Sequence, residues 1–418
     1  MSEKILTGNF DLENIFRMDV YIKNGGYQAA RKAVKEMTPE EILQEVKAAN
    51  LRGRGGAGFP AGVKWGFVPK EADKPKYLCV NADEGEPGTI KDRYIMSHNP
   101  HMLIEGIIIT CFCVGIQHAF IYIRGEYENV ARRLEQALIE AEEKGYVGKN
   151  ILNSGFDLKI TVHRGAGAYI CGEETALLES LEGKLGRPRV KPPFPALVGL
   201  FNCPTVINNV ETLSNIPHII LKGGDWFHKA GVDKDGGTRI FGVSGMVNKP
   251  GIYELPVGVN LKDLIYNYAG GLPEGRELKA VIPGGMSAPV LKADEIDICL
   301  DSDTLMEAGS MLGSAGVIVI DEDTPMLKVL EKIAKFYAHE SCGQCTPCRT
   351  GTAWIHKIVQ RMVRGEGKTG DIDEIIRLAS LILKKTLCPL GDAAAMPVLA
   401  IARKFRNELE QNTAEQEL

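Results

Sequence analysis

Helical periodicity fills most of the first 50 residues, and Thr38-Pro39-Glu40-Glu41 reads as a capping box with proline at the first helical position, launching a helix to about Asn50. Residues 76–80 form a short apolar run of strand type that ends in the polar glycine loop 81–88, NADEGEPG. Helical spacing returns over 88–97 and 100–115. Residues 119–124 (AFIYIR) read as a strand, 126–144 as a charged amphipathic helix and 158–163 as another strand. The glycine-rich turn 164–176 then runs into a helix, and a proline-rich stretch from Gly186 to Pro204 leads to Asn208-Asn209-Val210-Glu211-Thr212, which reads as a helix start. The two periods alternate, so residues 1–236 are expected to be one α/β domain of βαβ construction.

From residue 237 the pattern changes. Short strands are expected over 238–245, 251–255 and 279–283, with a helix near 260–269, together a compact β-grasp module spanning 237–325. Beyond it the spacing is helical over 326–339, 350–364, 371–385 and 392–410, a bundle covering 326–418. No internal repeat or low-complexity tract breaks this order.

Composition narrows the class of protein. A chain of 418 residues with 44% hydrophobic content has room for two to four domains. A net charge of −5 gives no reason to expect nucleic acid or an anionic membrane surface as partner. The longest apolar run, 106–116, falls short of the roughly 20 residues that span a bilayer. The start, Met1-Ser2-Glu3-Lys4, is too polar for a secretory signal. A soluble cytosolic chain is expected, with any membrane contact made through partners. Cys79, Cys111, Cys113, Cys171, Cys203 and Cys299 sit among apolar neighbours and are expected to be reduced core residues.

The other four cysteines carry chemistry. Cys342, Cys345 and Cys348 follow a strict Cys-x-x-Cys-x-x-Cys spacing, and Cys388 precedes Pro389 far along the chain. Four thiolates suit a [4Fe-4S] cube, one per iron, with a remote Cys-Pro closing the set as in ferredoxin-type runs. A Cys₄ zinc site is the alternative, although zinc sites usually pair two short knuckles and Cys388 has no second one. A protein-held cube is an electron station, so a donor or acceptor site should accompany it.

The glycine loop 51–65, LRGRGGAGFPAGVKW, has the density that lets backbone N–H groups close around a phosphate. Gly53-x-Gly55-x-x-Gly58 matches the dinucleotide fingerprint in letters, but a helix precedes it where that fingerprint needs a strand. Asn81, Asp83 and Glu84 offer partners for a ribityl chain or a flavin edge, or else form a solvated turn. Glu173-Glu174 read either as first-turn acids that complement a helix dipole or as part of a site. The eight histidines show no ligand spacing, and nothing resembles a Ser-His-Asp or Cys-His nucleophile.

Together the segments RGRGGAGFPAGVKW, NADEGEPGT, GAGAYICGEETAL, INNVETL and SCGQCTPCRTG with a later LCPLGD resemble, in order, the NADH-binding flavoprotein subunits of respiratory complex I, over about residues 20–400. The resemblance implies an α/β fold: a Rossmann-like FMN-binding domain, a small ubiquitin-like β-grasp domain, and a C-terminal four-helix bundle carrying a [4Fe-4S] cluster on Cys342, Cys345, Cys348 and Cys388. It implies FMN contacts from Gly53, Gly55, Gly56, Lys64, Asn81, Asp83, Glu84, Gly172, Glu173, Asn208, Asn209 and Thr212. It also implies an NADH slot lined by Phe59, Phe67, Glu86, Glu174, Lys191 and Phe194, with Glu174 beside the adenosine ribose. NADH would then give a hydride to FMN, and electrons would leave singly through the cube, with no side chain acting as acid or base. Expected partners are a [2Fe-2S] thioredoxin-like subunit and a larger Fe-S subunit, in the peripheral arm of a membrane complex on the cytoplasmic side. Two rivals stay open: the diaphorase subunit of an NAD-linked hydrogenase or formate dehydrogenase, and a zinc-stapled nucleotide-binding regulatory protein.

Overall fold

The structure is a computed structural model that describes residues 3–411; Met1 and Ser2 of the polar start and the last seven residues of the helical region lie outside them. Four parallel strands, β1 (Tyr77–Ala82), β2 (His118–Ile123), β3 (Lys159–Arg164) and β4 (Thr205–Asn209), form one sheet in the order β3-β2-β1-β4. The chain steps outward from β1 to β2 to β3, then returns to the far side of β1 to lay down β4. The strand order therefore reverses at β1, and the carboxyl ends of β1 and β4 flank the crevice where open α/β sheets take ligands.

Strand period decides which core each residue serves. Leu78, Val80 and Ala82 of β1 pack with the N-terminal helices and with Pro100–Val114, while Cys79, Tyr122 and Ile207 face a second core shared with the C-terminal helices. Pro100–Val114 is buried for most of its length, and its Glu105 and His101 find partners inside in the hydroxyls of Tyr21 and Tyr27. Its Gly106 allows backbone contact, since a Cβ there would stand 2.0 Å from the carbonyl oxygen of Leu213. The capping box at Thr38 forms as expected, with Glu41 accepting from the Thr38 N–H at 2.7 Å. The helix start at Asn208–Thr212 needs correction: β4 occupies Thr205–Asn209 first, a β-branched run, and Asn209 caps the helix Val210–Ser214 that follows.

A second, mixed sheet runs β6-β5-β9-β7-β8, with β5 (Thr238–Gly245), β6 (Gly251–Pro256), β7 (Leu278–Ile282), β8 (Leu291–Lys292) and β9 (Gly316–Asp321). β5 and β9 are parallel neighbours at its centre, and the remaining pairs are antiparallel. β8 and β9 are absent from the sequence reading. The helix expected near 260–269 is a single turn, Leu261–Asp263, that widens into a π-helical turn over Leu264–Tyr268.

Four helices, Met326–Glu340, Thr346–Val363, Asp371–Ile382 and Leu390–Lys404, bury Leu330, Ile333, Ile355, Val359, Ile375, Leu378, Val398 and Ile401 together. Three expected boundaries shift. The second helix begins four residues early, at Thr346, because Pro347 suits a first helical turn. The third ends at Ile382, not 385. The fourth begins at Leu390 and breaks at Phe405 before a short helix, Arg406–Glu410.

Two buried polar ties bind distant parts. Glu254 on β6 accepts the N–H groups of Ile5, Leu6 and Thr7 at 2.7, 2.8 and 2.7 Å, along with the hydroxyls of Thr7 and Thr238. Arg54, wholly buried, pairs with Asp235 at 2.5 Å and donates to the carbonyl of Gly236. Among the six remaining cysteines, Cys79, Cys111, Cys171 and Cys203 are buried as expected; Cys113 is half-buried, and Cys299, in an isolated bridge to Asn260, is exposed, which corrects its placement in the core.

Candidate flavin, dinucleotide and thiol sites

The crevice at the ends of β1 and β4 is built from loops that only glycine lets approach. Residues 53–58 fold back so that the Gly53 N–H donates to the carbonyl of Phe59 at 2.9 Å, with Gly56 and Gly58 in the left-handed region. Gly55 lies directly over Asn209, since a Cβ there would stand 3.1 Å from that of Asn209. Thr212 pins the loop by accepting the Arg54 N–H at 2.9 Å. Trp65, on the helix Ala61–Gly66, donates to the side-chain oxygen of Asn208 at 2.8 Å.

Across the crevice, Asn81 donates to the carbonyl of Gly172 at 2.8 Å, which joins the end of β1 to the turn before the helix Glu174–Leu181. Asp83 faces the same turn, and its Oδ2 is buried without a partner. Burial pushes its carboxyl up to about 7, Arg124 pulls the other way, and Glu126 and Glu340 add to the rise. A buried acceptor left open where a ligand hydroxyl or ring N–H could reach it fits the expected flavin edge.

Two expected contacts are already committed. The Glu84 carboxylate is fully buried and receives the Asp92 N–H at 2.7 Å, the Arg93 side chain at 3.0 Å and the Tyr127 hydroxyl at 3.0 Å. Asn209 is held between Lys91 and Asp92. The side chains of Glu84 and Asn209 are thus spent inside the protein, and the Glu84 carbonyl is taken as well, by Arg124 at 2.7 Å.

Glu173 caps its helix by accepting the N–H groups of Thr175 and Ala176, so the helix-start reading holds for it. Its other oxygen receives Lys191 at 2.9 Å. Glu174 is clamped, Oε1 by Lys191 at 2.8 Å and Oε2 by Lys64 at 3.0 Å. Burial would raise the Glu174 carboxyl, but the two ammonium groups hold it below the usual carboxylate range. The two acids and two cations form a compact polar wall. Phe59 and Phe67 stand beside each other, ring centroids 6.0 Å apart, and both are exposed, as is Phe194. Exposed aromatics beside such a wall offer stacking faces for planar rings. Glu86 is spent between the Tyr169 hydroxyl at 2.6 Å and the Ser287 N–H at 2.7 Å. Tyr169, Arg124 and Trp65 are the neighbours that sequence reasoning left unassigned; Tyr169 and Trp65 lie in glycine-rich segments, the one signal available, and Arg124 follows the end of β2 with no such mark.

The four thiols come together from two loops. Cys342 and Cys345 lie in the link after Met326–Glu340, Cys348 lies in the first turn of Thr346–Val363, and Cys388 lies in the link before Leu390–Lys404. Gly343 takes the left-handed conformation, and Arg349 ties its carbonyl at 2.8 Å. Burial pushes Cys348 up to about 11, reinforced by Cys345 and Cys342. Burial likewise pushes Cys388 up to about 12, and its neighbours there include Glu173, Cys342 and Cys348. Cys348 and Cys388 thus feel neighbouring thiols, and bare protein does not favour the ionised forms of these two. A positively charged group placed among them would supply what they lack. Among the described residues no three His, Cys, Asp or Glu side chains form a shell around a single metal ion.

Three families match in the same order as these regions: the Nuo51 FMN-binding domain over residues 46–218, the SLBB domain over 239–319, and the NADH-ubiquinone oxidoreductase-F iron-sulfur binding region over 328–412. The chain is 55% identical to the second F-type subunit of NADH-quinone oxidoreductase in Rhizobium meliloti, over 98% of its own length and 97% of the relative's. It is 48% identical to the F-type subunit of the same enzyme in Streptomyces coelicolor over 98% and 90%, and 51% identical to that of Mycobacterium tuberculosis over 92% and 86%. In three dimensions it is similar to a chain of an NAD+-reducing [NiFe]-hydrogenase in the H2-reduced state, with a TM-score of 0.86 and 34% identity, covering 100% of this chain and 68% of that one.

Proposed function

The chain belongs to the family of F-type subunits of NADH-quinone oxidoreductase, and on that footing we propose how its residues divide the work of an enzyme subunit whose substrate is NADH and whose cofactors are FMN and a [4Fe-4S] cluster. FMN, when bound, supplies the conversion of a two-electron hydride into single electrons. The chain's own part is to hold and to align. The glycine loop 53–58 and Lys64 take the flavin phosphate, and Asn81, Asp83 and Gly172 take its polar edge. Glu174 and Lys191 orient the dinucleotide, with Phe59, Phe67 and Phe194 stacking on its rings. Cys342, Cys345, Cys348 and Cys388 hold the cluster. Domain boundaries are placed at 236/237 and 325/326, a division supported by the three consecutive family matches.

One observation carries this reading. Tyr169, in the turn that runs to Gly172 and Glu173, donates its backbone N–H to Glu340 at 3.0 Å, and Glu340 stands two residues before Cys342, so flavin crevice and thiol pocket are neighbours. Electrons leaving the crevice have a receiver beside it. One Cys-x-x-Cys-x-x-Cys run closed by a remote Cys-Pro suits a cube better than zinc, whose sites usually pair two short knuckles. The fold likeness to the hydrogenase chain keeps a diaphorase role as the second reading, and the higher identities to quinone oxidoreductase subunits favour the first. The expected partners are a [2Fe-2S] thioredoxin-like subunit and a larger Fe-S subunit, on the cytoplasmic side of a membrane. No helix among the described residues is long and apolar enough to cross that membrane itself.

Lys64→Ala tests the crevice. Loss of its ammonium should lower retained FMN or the NADH:ferricyanide rate severalfold while iron content stays. Unchanged flavin together with an unchanged rate would remove Lys64 from the site.

A further inference from the structure

Three parts of the chain meet at Tyr169. Its backbone N–H donates to Oε2 of Glu340 at 3.0 Å, and Glu340 is the last residue of the helix Met326–Glu340, two before Cys342. Its hydroxyl donates to Glu86, whose other oxygen accepts the Ser287 N–H from beyond β7. Its ring stands edge-on to Phe336 and Tyr337, centroids 5.1 and 6.1 Å away. Gly85 lets the loop after β1 lie flat against that ring, since a Cβ there would approach it to 3.1 Å.

Glu340 is an acid at a helix C-terminus, the end where the helix dipole favours cations. It also stands beside a pocket whose thiols become anionic when loaded. The position is electrostatically wrong for the helix alone, so its stabilising partner lies elsewhere, and the Tyr169 N–H is that partner. The bond is charge-assisted and half-buried, the stronger kind. It joins the turn that runs to Gly172 and Glu173, on the crevice side, to the link that carries Cys342, on the thiol side.

We propose that Glu340 is a positioning residue that fixes the separation between the flavin-side turn 165–172 and the thiol loop 341–348. The inference rests on the functional reading above. Hydride transfer needs only the crevice, whereas electron transfer to the cluster crosses the gap that this bond spans. Glu340 therefore governs the second step and leaves the first alone.

The test uses the flavin- and iron-loaded protein with its partner subunits, as Glu340→Ala and as Glu340→Gln, whose carbonyl still accepts. In Glu340→Ala, amide hydrogen exchange across 165–172 should quicken about tenfold, the loss expected for a hydrogen bond to a charged acceptor. The EPR signal of the reduced cluster should also grow in more slowly after rapid mixing with NADH. Flavin content, iron content and NADH:ferricyanide activity should stay at wild-type levels, and Glu340→Gln, whose neutral carbonyl accepts more weakly, should fall between wild type and Glu340→Ala in exchange and in cluster reduction. Unchanged exchange in Glu340→Ala overturns the latch itself. Faster exchange with unchanged cluster reduction overturns the placement of the two redox groups on either side of it. Loss of flavin or iron, or a Glu340→Gln variant that behaves like alanine, overturns a positioning role.

Discussion

Asp83 shows how one burial decision becomes a pH dependence. Its carboxyl keeps a proton to about 7 when folded, against an ordinary 3.8. Between those values the folded chain binds more protons than the unfolded one, so this stabilising contribution is complete below pH 4 and lost as pH rises through 7. Asp83→Asn stays neutral throughout. In flavin-free protein it should raise the unfolding free energy above pH 7, by as much as about 4 kcal/mol in denaturant titration, and should converge with wild type near pH 4. An offset equal at both ends would assign the effect to something other than this proton. Glu174 carries the nucleotide prediction. Beside an adenosine ribose its carboxylate would accept hydroxyls and repel a 2′-phosphate, but Lys64 and Lys191 already share its charge. The expected gain for Glu174→Gln in kcat/KM for NADPH relative to NADH is therefore modest, about tenfold or 1.4 kcal/mol. Glu86→Gln is the control, and an unmoved ratio for Glu174→Gln would place the adenosine half elsewhere.

At the scale of elements, legibility follows locality. The capping box at Thr38 and the Cys-x-x-Cys-x-x-Cys run are readable because their partners lie within a few residues. β4 was hidden by its brevity behind a proline-rich stretch, and β9, whose apolar run is only Val317 to Ile320, by its isolation from any obvious hairpin partner. It pairs with β5, some seventy residues earlier, a match that no local pattern announces. The commitment of Glu84 to Arg93 and Tyr127 was unreadable for the same reason. Cys388 is the test case at this scale, because its link between two helices must close a set begun 46 residues before, at Cys342. Cys388→Ser should lower bound iron and abolish the EPR signal of the reduced cluster while FMN stays in place. Full cluster content in that variant would discard Cys388 as the fourth ligand.

For the whole molecule, stability is concentrated where regions meet. Arg54 has no exposure, and Asp235 supplies its compensating charge from the segment that leads into β5. Asp235→Ala leaves that guanidinium buried and unpaired, so denaturant unfolding should show a loss of about 3–5 kcal/mol. A loss below about 1 kcal/mol would mean that the Gly236 and Thr238 carbonyls suffice for the charge. Glu254 makes the opposite kind of tie, accepting three consecutive amides from the beginning of the chain. During synthesis those amides leave the ribosome long before their acceptor exists. Thr7 waits for a residue 247 positions later, about 12–50 s at ordinary rates of elongation. Residues 5–7 are thus made long before they can find their place, and until then they are an unclaimed strand of amides open to whatever chaperone meets the nascent chain.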